Sequence, residues 1–161
     1  MRRIARDPET NRDLFVLELE APDDLPRALD LPSRHFACLV AWDSREASVD
    51  EIARLATKLM KEGAAYFVCW GPGCERVHDI VDEIDADPDD PVGSPEASVI
   101  MTTWHADESL EDAIWFFLNE TSPDEHYETT LGSSLAVSIG SSKWAAVLRA
   151  ALLKPRGSDA R

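Results

Sequence analysis

The residues able to do chemistry are concentrated in two short strings, CWGPGCERVHD and TTWHADES. In the first, a Gly-Pro-Gly turn delivers Cys74 to the first turn of a helix, where free N–H groups and the helix dipole lower a thiol pKa. His78 follows four residues later and so shares its face, while His105 ends the next apolar run. A cysteine nucleophile served by a histidine base is the chemistry this pattern allows, with Cys74, His78 and His105 as candidate catalytic residues. Glu75 and Asp79 oppose it, because neighbouring carboxylates raise a thiol pKa. Cys69, Cys74, His78 and His105 also supply four ligand types that a structural zinc accepts. Their spacing, Cys-x4-Cys-x3-His with a distant His, matches no standard zinc pattern, so they are secondary candidates and no metal is assigned.

A second set of residues could hold a small ligand. Three apolar runs end in tryptophan, at Trp42, Trp70 and Trp104, each followed by a polar or turn residue, Asp43, Gly71 or His105. Aromatic rings at such a rim either sandwich a ligand or plug the gap between strand ends and helix starts. Asp43, Trp70, Arg76, Thr103 and Trp104 are therefore the candidate ligand-binding residues. Arg45, Arg76 and Lys143 fall beside helix starts, where a cation opposes the helix dipole unless an anion intervenes. Asp85, Asp87, Asp89 and Glu96 take positions one, three, five and twelve of a calcium-loop pattern. Asp90 replaces the glycine that loop requires, and a strand rather than a helix follows, so the string reads better as an exposed acidic loop. No Gly-rich dinucleotide fingerprint, P-loop or nucleophile elbow occurs.

The elements that must position these residues are legible from the apolar pattern. HFACLVAW, AYFVCW, SVIMTTW and LAVSI are continuous apolar runs of strand length, as expected for parallel strands covered on both faces. Amphipathic helices alternate with them. One is bracketed by a Ser48/Glu51 capping box and Gly63, and others start near Gly73, at Ser109 and at Ser141 or Ser142. The expected fold is α/β, a three-layer α/β/α sandwich of Rossmann-like or flavodoxin-like type on a mostly parallel sheet of four to five strands. Residues 1–34, broken by Pro22, Pro26 and Pro32, read as an extension with one short strand, around Leu14 to Leu19, at an edge. Residues 35–153 read as a single domain. Asp85 to Ala97 reads as a loop, and residues 154–161 as a disordered tail. In such sheets ligands bind beyond the carboxyl ends of the strands, which selects the strand-to-helix loops AWDSREAS, CWGPGCERVHD, TTWHADES and SIGSSKW.

Composition narrows the function. The chain has 161 residues, 16 Lys plus Arg, 31 Asp plus Glu and a net charge of −15. That balance excludes a partner that must be bound by neutralising phosphates and disfavours an anionic membrane surface. The acid is localised, since Val77 to Ser142 contain 16 acids and no Lys or Arg. A stretch of that length is either a solvated face or a docking surface for a basic protein. Three cysteines without framework spacing, no apolar leader and no run long enough to span a bilayer together predict a cytoplasmic protein.

The string WGPGCERVHDIVDE followed by VIMTTWHADESLEDAIWFF resembles a small uncharacterised bacterial α/β domain family of unknown function. The similarity runs from about His35 to Ile139 and rests on the W-G-x-x-C-x-x-x-H-D and T-T-W-H strings. It implies an α/β fold and no particular activity or cofactor. Three function classes remain open: small-ligand binding or sensing at the sheet rim, an acidic interaction module of immunity or inhibitor type, and a Cys/His-dependent enzyme.

Overall fold

The computed structural model describes residues 1–87, 89 and 98–155. In chain order the elements are β1 (Arg2–Arg6), β2 (Asp13–Leu19), β3 (His35–Trp42), α1 (Val49–Lys61), β4 (Ala64–Trp70) and α2 (Cys74–Asp85), then β5 (Met101–His105), α3 (Leu110–Asn119), β6 (Leu131–Ile139) and α4 (Ser142–Leu153). Short 3-10 turns occupy Pro22–Asp24 and Glu125–Tyr127. No described helix is long and apolar enough to cross a membrane.

The helix starts form as their sequences dictate. Ser48 Oγ accepts the Glu51 N–H at 3.1 Å, and the Glu51 carboxylate accepts the Ser48 N–H at 2.8 Å, completing the capping box. Ser109 caps α3 through the Asp112 N–H, and Ser141 caps α4 through the Trp144 N–H. In each case a side-chain oxygen satisfies an N–H that the helix itself leaves unbonded.

The strands form one six-stranded sheet in the order β1-β2-β6-β3-β4-β5. All neighbours run parallel except β1, which is antiparallel to β2. Alternation along β3 divides the interior in two, because successive side chains point to opposite faces. Phe36, Cys38, Val40 and Trp42 pack with Ile52, Leu55 and Leu59 of α1 and Val77 and Val81 of α2. Ala37, Leu39 and Ala41 pack with Ile114 and Phe117 of α3 and Leu148 and Leu152 of α4.

Two sequence expectations change here. The sheet has six strands rather than four to five, because RRIAR forms β1. The strand at Leu14 to Leu19 is not at an edge, since β2 lies between β1 and β6. The turn that makes this possible is built around Asp7, which is 1% exposed. Its carboxylate accepts the Glu9 N–H and the Thr10 hydroxyl, and its own N–H reaches the Arg12 carbonyl. An acid bonding to a backbone N–H and a hydroxyl within its own turn lets a charged, non-alternating segment pair as a strand. The loop from Pro88 onward, including Asp90 and Glu96 of the acidic string, falls outside the described residues apart from Asp89, as does the tail after Pro155.

Candidate functional site

Strand order reverses between β3 and β6. The chain leaves β3 through α1 toward β4 on one side, whereas β6, paired to the other side of β3, leads into α4. The two strands therefore deliver their following loops to different faces, which opens a crevice at their carboxyl ends. A cavity of ≈ 490 Å³ lies there, lined by Glu20, Ala21, Pro22, Trp42, Asp43, Glu46, Ile139, Gly140, Ser141 and Trp144. Another open depression of ≈ 490 Å³ is lined wholly by α1, by Asp50, Ala53, Arg54, Thr57, Lys58 and Lys61. A single helix flank provides no convergence of groups from different elements, so the crevice is the better candidate.

The crevice walls are held from below. The Gly140 N–H donates to the Leu19 carbonyl at 2.8 Å, which pins the end of β6 to the end of β2. Ser138 Oγ donates to the Ser141 carbonyl at 2.7 Å, and Ser141 Oγ caps α4. Trp144 stands edge-on to Trp70, with ring centroids 5.0 Å apart and planes at 82°. Trp70 Nε1 donates to the Glu108 carbonyl at 2.9 Å. Trp42 is buried, with 7% of its surface accessible. Asp43 accepts two hydrogen bonds from the Arg45 guanidinium, at 2.9 and 2.7 Å. These bonds hold its carboxyl below the usual carboxylate range. The polar residues lining the crevice are thus Glu20, Asp43, Glu46 and Ser141, together with the indoles Trp42 and Trp144.

Of the ligand residues expected from sequence, Asp43 lies in this crevice and Trp70 supports its Trp144 wall. Arg76 does neither. Its guanidinium donates to the Ser44 carbonyl at 2.7 Å and the Ala47 carbonyl at 2.9 Å, stapling the loop after β3 to α2. Close approach of the same two loops explains Gly71 and Gly73. With φ of +110° and +81°, a Cβ on either would lie 2.4 Å from the Trp42 carbonyl oxygen or 2.7 Å from Ser44 Oγ. Arg45 and Arg76 are engaged with a carboxylate and with carbonyls, so two of the three cations that hinted at an anion already have partners within the protein; the third, Lys143, is exposed in the first turn of α4.

Thr103 and Trp104 lie on β5, at the far edge of the sheet. Parity along this strand also separates the two histidines among the candidate catalytic residues. His78 Nδ1 is 3.0 Å from Thr102 Oγ1, and its ring is 4.4 Å from that of Trp104. His105 turns to the opposite face, where Nε2 is 3.1 Å from Thr103 Oγ1 and Nδ1 is 2.7 Å from a Glu108 carboxylate oxygen. Its ring packs at 4.6 Å on Phe116. Cys74 is 2% exposed, and burial is the main cause pushing its thiol pKa up, against the hydrogen bonds that lower it. Cys38 and Cys69 are buried in the core, and burial pushes their pKa values up as well. All three cysteines are free. Among the described residues no three His, Cys, Asp or Glu side chains are placed to hold a metal ion, so Cys69, Cys74, His78 and His105 do not form such a group.

Sequence reading selected the loops that hold Glu46, Ser141 and Trp144 without naming these residues as ligand contacts, and it missed Glu20. The loop after β6 carried a signal, a strand followed by Gly-Ser-Ser and an aromatic in the next helix turn. Glu20 carried none, because its place depends on β6 inserting between β2 and β3.

The family model described as Domain of unknown function (DUF7684) matches residues 14–155. The chain belongs to that family. The match starts within β2 and ends after α4, so the family unit includes the reversal point and every wall of the crevice. No curated protein and no solved structure matches the chain.

Proposed function

We propose that this member of the DUF7684 family binds a small cationic ligand, one carrying an amine or guanidinium group, in the crevice between β3 and β6. The observation that carries the reading is the coincidence of strand-order reversal with two indoles and three carboxylates, Glu20, Asp43 and Glu46. Indole faces attract cations, and carboxylates fix them by charge-assisted hydrogen bonds. Asp43 already has Arg45 as its partner, which leaves Glu20 and Glu46 to meet the ligand.

The two core clusters, one under each pair of helices, support a three-layer α/β/α arrangement. Its kinship to Rossmann-like and flavodoxin-like sheets is in layers and reversal, since the strand order follows neither of their classic patterns. The three free cysteines support a reducing, cytoplasmic setting. Catalysis by Cys74 gains no support from a buried thiol with a raised pKa.

Calorimetric titration with putrescine and with arginine tests the ligand reading. Saturable binding is expected, weakened about tenfold or more by Glu20→Gln combined with Glu46→Gln, in line with loss of charged hydrogen bonds. Absence of saturable heat with both probes, or affinity unchanged by the double substitution, overturns it.

A further inference from the structure

Strand β5 has one neighbour, β4, and no described strand pairs with its other side. Its register with β4 runs without a shift from Tyr66 opposite Met101 to Trp70 opposite His105, so no bulge turns the edge away. MTTWH contains no proline, lysine or arginine. In a parallel strand alternate residues direct both N–H and C=O away from the neighbour, so the outer edge presents main-chain donors and acceptors. The helices do not cover it fully. Met101 is 39% and Trp104 47% exposed, and being three residues apart they emerge on opposite faces.

Carboxylates surround this edge. His78, stacked on Trp104, lies 3.9 Å from Asp79 and 3.5 Å from Asp82. Glu108 pairs with His105 at 2.7 Å on the opposite face, and an Asp85 carboxylate oxygen accepts the N–H of Ile100 at the approach to the strand. No Lys or Arg occurs between Val77 and Ser142 to offset them.

We propose that the outer edge of β5 is a docking site for an extended, basic segment of a partner protein, which adds to the sheet as a further strand. Main-chain bonds to β5 supply the pairing, an apolar side chain covers Trp104, and Lys or Arg side chains reach Asp79 and Asp82. The same carboxylates argue against a second copy as the occupant, because pairing two β5 edges brings like charges together.

The test uses the full chain and two peptide libraries of about eight residues, long enough to cover the strand. One has Lys or Arg alternating with Val, Thr or Leu, and the matched library has Glu at the charged positions. Binding is read by fluorescence anisotropy and by amide hydrogen exchange of residues 101–105. Members of the basic library are expected to bind and to slow exchange in β5. Their affinity should fall about tenfold between roughly 50 and 300 mM salt, as for exposed charges. Trp104→Ala, and Asp79→Asn combined with Asp82→Asn, should each weaken it about tenfold while circular dichroism stays native, these side chains being exposed. Three outcomes overturn the proposal: no basic member binding better than its Glu counterpart, binding without protection of β5, or protection that depends on protein concentration in the absence of peptide, which would identify a second copy as the occupant.

Discussion

The two edges of the sheet face the same hazard and meet it differently. At one end, β1 carries its charge on the strand itself, in Arg2, Arg3 and Arg6, and its register with β2 shifts between Arg3 and Ala5. Arg3 is tied to Asp13 by two hydrogen bonds, at 3.0 and 2.6 Å, and Arg6 to Asn11 at 2.8 Å. Charge on the strand and an irregular register are the ordinary means of refusing another strand, whatever its sequence. At the other end β5 is regular and carries no Lys, Arg, Asp or Glu, and the acids near it stand on α2 and the loop before α3. A strand charged along its length repels without discrimination. An uncharged strand with acidic flanks repels acidic or like chains and admits a basic one.

That contrast holds only if both edges are equally well anchored, so that β5 is not simply the weaker end. The largest expected effects test this point. Phe117 of α3 is fully buried among Tyr66, Val68 and Leu39, on the side of the sheet nearest β5. Leu148 of α4 is equally buried on the same face, where α4 packs on β1 and β2. Phe117→Ala should cost about 3–5 kcal/mol and Leu148→Ala about 2–5 kcal/mol, by lost transfer energy and cavity formation. Urea unfolding measures both. A loss below about 1 kcal/mol at Phe117 alone would show that β5 lies over a loose core and that its exposed residues reflect poor packing rather than a binding edge.

A smaller effect is expected at Cys74, which reports how firmly α2 and β5 are held together. Its thiol is buried at the start of α2, and its raised pKa leaves little thiolate at neutral pH. Alkylation by iodoacetamide should therefore run at least about tenfold slower than with a free thiol, since the thiolate is the reacting form. Docking of a basic peptide on β5 should slow it further, because the bound strand opposes local opening. Labelling as fast as a model thiol would remove the contrast between a firmly anchored edge and a frayed one. It would also revive the catalytic reading of Cys74.

How far these features could be read from sequence follows physical lines. Strands β3, β4 and β6 are apolar without interruption because both of their faces are covered, and such runs stand out. Helix starts were legible wherever a serine oxygen is the local solution to an unbonded N–H, as at Ser48, Ser109 and Ser141. By contrast β1 depends on a turn organised by the carboxylate of Asp7, and RRIAR alone has no strand pattern. The place of β2 inside the sheet depends on where β6 inserts, a choice made by tertiary packing after the local signals have been spent. The same limit applies to chemistry. Cys74 and His78 are one helical turn apart and His105 ends the next strand, but the alternation of β5 sends the two histidines to opposite faces, and position along the chain says nothing of that. Asp43 was found because the strand-end rule selects loops one at a time. Glu20 and Trp144 needed the strand order, which brings three such loops to one place.

The smallest expected change in stability is the sharpest test of the two edges, because it exchanges their devices. Met101→Lys places a cation on β5, as the arginines do on β1. Met101 is partly exposed, and surface substitutions of this kind stay within about 0.5 kcal/mol. Yet the lysine should weaken binding of basic peptides about tenfold or more, since it repels their charged side chains along the new pairing. The reverse change, Arg2, Arg3 and Arg6 all to Ala, removes the charges that guard β1. It should lower stability by no more than about 1 kcal/mol, because the arginine end of the Arg3–Asp13 pair is exposed to solvent. It should raise self-association measured by sedimentation velocity, since an unguarded edge pairs with its own kind. If Met101→Lys leaves peptide binding intact while the arginine variant stays monomeric, charge placement is not what distinguishes the edges, and β5 owes its openness to the short reach of α2 and α3 alone.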